Sequence, residues 1–169
     1  LQQSLNPPAP GKRERIFGET VFREGDRVMQ VRNNYDILWK SLDSTTVGSG
    51  IFNGDVGIIR RIDPDMEVMN IVFDDREADY DFTQLGELEL AYAMTVHKSQ
   101  GSEYRAVILA AFSGSPYLLS RSILYTAITR ARELLIIVGR EEVVAAMTEN
   151  AKKNRRYSGL KLRLQGKAD

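Results

Sequence analysis

Residues 95 to 104 read "TVHKSQGSEY". They gather His97, the chain's one histidine, with Lys98, Gln100, Glu103 and three hydroxyl residues, Thr95, Ser99 and Ser102. The stretch follows "LELAYAM", which reads as a strand, and in open parallel sheets ligands bind beyond the carboxyl ends of strands. One or two helical turns fit "TVHKSQG", with Thr95 as N-cap and Gly101 just past the end. Backbone N–H groups at a helix start, the Lys98 ammonium, the Ser99 hydroxyl and the Gln100 amide suit phosphate oxygens. Glu103 can accept from a sugar hydroxyl. The same residues also fit a polar, capped turn that only joins two strands.

A second constellation is "SILYTAITRAR", residues 122 to 132. At about 100° per residue, Ile123, Leu124, Ala127, Ile128 and Ala131 form one apolar stripe. Arg130 returns to its edge, and Thr126 lies on the same flank. An arginine whose stem is held by a packed face aims its guanidinium, which suits contact with a phosphate. A snorkelling surface arginine would give the same pattern.

Other chemistries fail on residue type. With no cysteine and one histidine, thiolate metal sites are excluded and a zinc site is disfavoured, so no metal ligands are assigned. Gly11-Lys12 is no P-loop, because Asn6 and Arg13 stand where Gly and Ser or Thr are required. A serine hydrolase built on His97 lacks a Gly-x-Ser-x-Gly elbow. "NIVFDD" imitates a strand ending in metal-binding acids, but its neighbours make it a solvated hairpin.

The elements that must position these residues fall into two styles. Residues 1 to 20 look like an irregular lead-in, 26 to 32 a strand, and 33 to 50 a loop. From Asn53-Gly54-Asp55 onward, short alternating segments separated by turns indicate a small antiparallel barrel. After residue 89 the pattern changes. The runs "AVILAAF" (106 to 112) and "LLIIVG" (134 to 139) read as buried parallel strands, with helices expected at 119 to 132 and from Arg140 onward. The fold class is therefore α/β, a parallel-sheet layer carrying a small β-barrel.

Charge balances at 23 basic and 23 acidic residues over 169, so net charge argues no polyanion affinity. Its distribution is uneven. Residues 62 to 89 hold ten acids against Arg76, and residues 151 to 169 hold seven bases against Asp169. An acidic barrel is a poor electrostatic clamp for a polyanion. The basic tail fits either nucleic-acid contact or solvated surface. With no apolar run near the ~18 residues of a membrane span and no h-region at the start, a cytoplasmic protein without a membrane partner is expected. The first residue is Leu rather than Met, as in a piece of a longer protein.

"TVHKSQGSEY" resembles motif V of superfamily one helicases, and "LYTAITRARELLIIVG" resembles their motif VI. "LQQSLNPP", "FREGDRVMQVRNNYD" and "GIFNGDVGII" are similar to the RecD-like branch, ATP-dependent DNA helicases related to the alpha subunit of exodeoxyribonuclease V. The resemblance implies the carboxyl-terminal part of such an enzyme. Residues 1–52 would be the lead-in and first strand of the second RecA-like domain, 53–88 an inserted SH3-like barrel, and 89–169 the rest of that domain. ATP and Mg²⁺ would bind in the full-length enzyme, against a P-loop and acids on a first RecA-like domain not included here. This chain alone would bind neither and would be inactive. Arg130 would be the catalytic arginine, with Gly101 and Glu103 also near the nucleotide. Thr95, His97, Lys98 and Ser99, with Asn53 from the barrel, would face single-stranded DNA or a duplex junction. Relatives of this branch translocate 5′ to 3′ in DNA repair or recombination, some with nuclease or repair subunits as partners. The competing reading is a non-catalytic SH3-like binding module for protein or single-stranded DNA.

Overall fold

The computed structural model describes residues 1–115 and 118–151, and the chain divides into two compact units, residues 1–102 and 103–169. The seven bases of the tail, from Lys152 to Lys167, lie outside the described residues.

The first unit is almost entirely antiparallel. A short helix α1 (Gln2–Leu5) precedes the hairpin β1 (Glu14–Phe17) and β2 (Thr20–Arg23). Seven further strands form one sheet: β3 (Arg27–Gln30), β4 (Asn34–Ser41), β5 (Val47–Ile51), β6 (Val56–Asp63), β7 (Val68–Phe73), β8 (Arg76–Asp81) and β9 (Leu88–Leu90). Their order is β5-β4-β8-β7-β6-β3-β9, every pairing antiparallel. This curled sheet is the expected SH3-like part of the fold. It runs wider than residues 53 to 88, because β3, β4 and β5 join from one side of the sequence and β9 from the other.

Alternation explains the curl and the core. In β7, Met69, Ile71 and Phe73 are buried while Val68, Asn70 and Val72 are partly exposed, the period of two that puts one face inward. Phe22, Val28, Ile37, Ile51, Ile59, Ile62, Tyr80 and Leu85 belong to the same cluster. Each such side chain contributes about 1.5–3 kcal/mol by leaving water. Gly57 is required by packing, since a Cβ there would lie 2.7 Å from both the Val72 carbonyl oxygen and Ile71. Asp81 caps the 3-10 helix Phe82–Glu87 that leads into β9, accepting from the Thr83 amide while Gln84 accepts from the Asp81 amide.

Two sequence expectations change here. Residues 33 to 50, read as a loop, form the β4–β5 hairpin. The Ser/Thr/Gly cluster that suggested a loop makes its turn, where Ser41 N donates to Thr46 O at 2.9 Å, and then runs on into β5 as Gly48, Ser49 and Gly50. The lead-in is ordered too, as α1, β1 and β2.

The second unit holds β10 (Tyr104–Ala111), α2 (Arg121–Ile128), β11 (Ala131–Gly139) and α3 (Glu141–Glu149). β10 and β11 pair in parallel, as expected. Ala111, Leu124, Val143 and Met147 form a small core of their own. The strands are not buried as expected: Ile108 is 70% exposed, Leu134 51% and Val138 45%. The described sheet here has two strands, so neither strand has a neighbour on its outer edge. The helix expected at 119 to 132 ends at Ile128, because Ala131 already pairs with Tyr104 in the sheet.

Candidate functional site

The residues from Thr95 to Gly101 form a tight turn after β9 rather than a regular helix. Thr95 does cap it, as Thr95 Oγ1 accepts from the Lys98 amide at 3.3 Å and Thr95 O from the Ser99 amide at 3.2 Å. Gly101 ends it with φ +88°, a left-handed conformation that glycine adopts without a Cβ penalty. Ser99 is buried, and its hydroxyl donates to Val96 O at 2.8 Å, so this side chain shapes the turn from inside. Thr95, His97, Lys98 and Gln100 are exposed. The Lys98 ammonium is ion-paired with Glu89 on β9.

In the second unit, Glu103 and Arg130 come together at the start of β10. Tyr104 N donates to Arg130 O at 2.8 Å. Arg130 is half-buried where the chain passes from α2 to β11, and its guanidinium folds back over the helix end. Nε donates to Thr126 O at 3.2 Å and Nη2 to Thr129 Oγ1 at 3.3 Å. The flank shared by Thr126 and Arg130 is thus a real contact, although Arg130 stands past the helix. Glu103 accepts from Arg132 Nε at 2.7 Å. The bond and charge of Arg132, then the nearby Arg130, hold its carboxyl below the usual range. The start of β10 thus brings a carboxylate acceptor and a guanidinium donor near one another, the group types that meet a sugar hydroxyl and a phosphate.

Asn53 lies on the exposed loop between β5 and β6. Its amide donates to Asn33 Oδ1 at 3.0 Å, and Gly54 N donates to Gln30 O at 2.9 Å. Beside it, Tyr35 and Phe52 meet edge to face, centroids 5.6 Å apart at 72°. Tyr35 is 65% exposed and Phe52 40%. Such a ring pair offers a stacking surface for an unpaired base. Tyr35 does not stand out in the sequence, because its segment has loop-like composition. The signal was there in the alternation of "NYDILWKS", which buries Ile37 and tucks Trp39 against the core.

The acidic stretch finds its cations in space. Glu77 receives Lys40 Nζ at 2.7 Å and Arg60 Nη1 at 3.2 Å, and Asp63 pairs with Arg61. These groups line an open concavity of about 610 Å³ on the outer face of the sheet. Its charges neutralise one another, so it offers no field for a phosphate chain. Among the described residues no group of three His, Cys, Asp or Glu could hold a metal ion. No helix among them is long and apolar enough to cross a membrane.

Residues 1–73 match the family of ATP-dependent RecD-like DNA helicase SH3 domains, and residues 90–138 match the UvrD-like helicase C-terminal domain. The chain belongs to the RecD-like helicases. It is 32% identical over 139 residues to the ATP-dependent RecD2 DNA helicase of Deinococcus radiodurans, covering 82% of this chain and 17% of that protein. It is also 36% identical over 118 residues to the RecBCD enzyme subunit RecD of Mycobacterium tuberculosis, covering 70% and 20%. The same subunit of Mycolicibacterium smegmatis is 38% identical over 119 residues, again 70% and 20%. The chain thus spans a fifth or less of these relatives' length. Of the residues singled out in the sequence, Asn53 falls in the first matched segment, while the turn at 95–101, Glu103 and Arg130 fall in the second.

Proposed function

We propose that this chain is the carboxyl-terminal portion of an ATP-dependent DNA helicase, and that it supplies one wall of the ATP site and part of the single-strand track. The observation that carries this reading is the placing of Glu103 and Arg130 at one strand start, in a segment that matches a helicase C-terminal domain. The parallel β10–β11 pair with α2 and α3 is the edge of a second RecA-like domain. Arg130 swings from its helix end to the γ-phosphate, and Gly101 and Glu103 lie near the nucleotide. Thr95, His97 and Lys98 face the DNA, with Ser99 holding their turn, and Asn53 contacts it from the barrel. ATP and Mg²⁺ are held mainly by a first RecA-like domain carrying the P-loop and the metal-binding acids. The substrate is single-stranded DNA or a duplex junction, the direction 5′ to 3′, and the setting cytoplasmic repair or recombination, with nuclease or repair subunits as partners.

The test is hydrolysis by the full-length protein with and without single-stranded DNA. Stimulated turnover that Arg130→Ala lowers by about 10³-fold or more is expected. Unchanged turnover in that variant would leave a binding module as the better reading. This chain alone, purified, should hydrolyse no ATP, and DNA-stimulated turnover by it would overturn the assignment of the phosphate cradle to another domain.

A further inference from the structure

Asp26 is fully buried in the first unit, at the turn between β2 and β3. Its carboxylate accepts four hydrogen bonds. Oδ2 takes Gln2 Nε2 at 2.6 Å and the Arg23 amide at 2.7 Å. Oδ1 takes Asn6 Nδ2 at 2.7 Å and the Tyr92 hydroxyl at 2.7 Å. The donors are all neutral. The guanidinium of Arg23 goes instead to Glu14 and to Asn6 O. A buried carboxylate is tolerated only when its lone pairs are filled, and these four donors fill them.

The donors come from places far apart in sequence: α1, the residue that caps it, the β2–β3 turn, and Tyr92, just after β9. Tyr92 stands three residues before Thr95. Ala91 N also donates to Arg27 O at 2.7 Å, so the chain is pinned at two successive residues as it leaves the sheet. Burial, then the bond to Asp26, keeps the Tyr92 phenol protonated and donating. None of these side chains belongs to the site described above.

We propose that Asp26 is a positioning residue that sets the origin of the 95–101 turn by holding Tyr92, and so fixes where His97 and Lys98 stand. This rests on the helicase reading for what the turn contacts, but not for the turn's placement. The node also explains why the amino-terminal segment is ordered: Gln2 and Asn6 are two of its four donors. A change at either end of this polar link moves the DNA-facing turn without touching the nucleotide residues.

The experiment compares Tyr92→Phe, which removes one hydroxyl, with Ile62→Val, which trims the same unit's core at a residue with no hydrogen bond to Asp26 or Tyr92. In the full-length protein, Tyr92→Phe should raise the single-stranded oligonucleotide concentration that half-saturates ATP hydrolysis about five-fold, the worth of one buried hydrogen bond. Asp26→Asn should raise it further, because its amide faces donors on one side. Half-saturating ATP should stay within about two-fold in Tyr92→Phe, and Ile62→Val should shift neither quantity, its lost methylene being a stability effect alone. Coincident DNA titrations for Tyr92→Phe and Ile62→Val would overturn the proposal. In this chain alone, amide hydrogen exchange at residues 94–99 should quicken in Tyr92→Phe and not in Ile62→Val, and equal exchange would also overturn it. A wild-type protein whose ATPase ignores DNA would sink the helicase reading, while the exchange comparison would still decide whether Asp26 places the turn.

Discussion

The two units of this chain use apolar residues in opposite ways. In the antiparallel sheet the apolar positions alternate, and one face of each strand is buried by the sheet's own curl, as Met69, Ile71 and Phe73 show. In the second unit β10 and β11 are apolar on both faces, yet Ile108, Leu134 and Val138 stay open to water. A strand that is apolar on both faces is the sequence of a strand covered on both faces. The first unit therefore carries its stabilising partners within itself, whereas the second, among the described residues, leaves apolar strand surface uncovered.

The largest expected effect tests the self-sufficiency of the first unit. Ile71 is fully buried at the centre of its cluster. Ile71→Ala should cost about 2–5 kcal/mol, a lost transfer energy plus a cavity, read from urea unfolding of this chain. A loss below about 1 kcal/mol would show a loosely packed sheet that needs another domain.

The matching test on the second unit has a sign that depends on context. Ile108→Thr in this chain should change stability by no more than about 0.5 kcal/mol, as for exposed positions generally. In the full-length protein the same change should cost about 1–3 kcal/mol, because a hydroxyl would then be buried against apolar neighbours. Equal small effects in both settings would mean that β10 is a genuine surface strand, and the contrast between the units would fail.

This contrast also explains what was legible in the sequence. Periodicity is a local property, so the strands at 56 to 81, the parallel pair and the helices after it could be read directly. The β4–β5 hairpin could not, because Ser44, Thr45, Thr46, Gly48 and Gly50 carry turn-like composition through a strand whose place is set by Trp39 packed over Gly48. The acidic run looked repulsive because Lys40, Arg60 and Arg61 are distant in sequence and adjacent only once β4, β8, β7 and β6 line up. For the site, the residue types at 95–104 and Arg130 were readable. That Asp26 anchors Tyr92 depends on a contact 66 residues apart, which no local pattern encodes; that Ser99 faces inward, its hydroxyl on Val96 O three residues back, follows from the geometry of the turn and not from residue type.

A smaller effect asks whether the units also divide the ligands. His97 is exposed on the turn of the first unit, and Arg130 stands in the second. In the full-length protein His97→Ala should weaken single-stranded DNA binding about five- to ten-fold, the worth of one stacking or phosphate contact. ATP affinity without DNA should hold. Fluorescence anisotropy with a labelled oligonucleotide and nucleotide titration would separate the two. Lost ATP affinity with normal DNA binding would put the turn on the nucleotide side and erase the division.

The smallest effect concerns acid. Glu77 is held below the usual carboxylate range, first by the Lys40 hydrogen bond and then by charge from Lys40 and Arg60. Asp63 and Asp81 are lowered as well, through Arg61 and through the Thr83 cap. A carboxylate with a lowered folded-state pKa contributes stability that is complete above its unfolded value. That contribution disappears as pH falls through the folded value. The first unit should therefore lose melting temperature as pH drops below about 4.5, the unfolded range of Glu. In Glu77→Gln one of these titrations is absent. Its melting temperature should lie about 1–3 °C below wild type near pH 7, since partly solvated pairs are weak, and the two curves should draw together as pH falls through the lowered folded-state value. Circular dichroism melts between pH 3 and 7 would show the convergence. Parallel curves across that range would mean that the Lys40–Glu77–Arg60 cluster is solvated surface with no part in holding β4, β8 and β6 together.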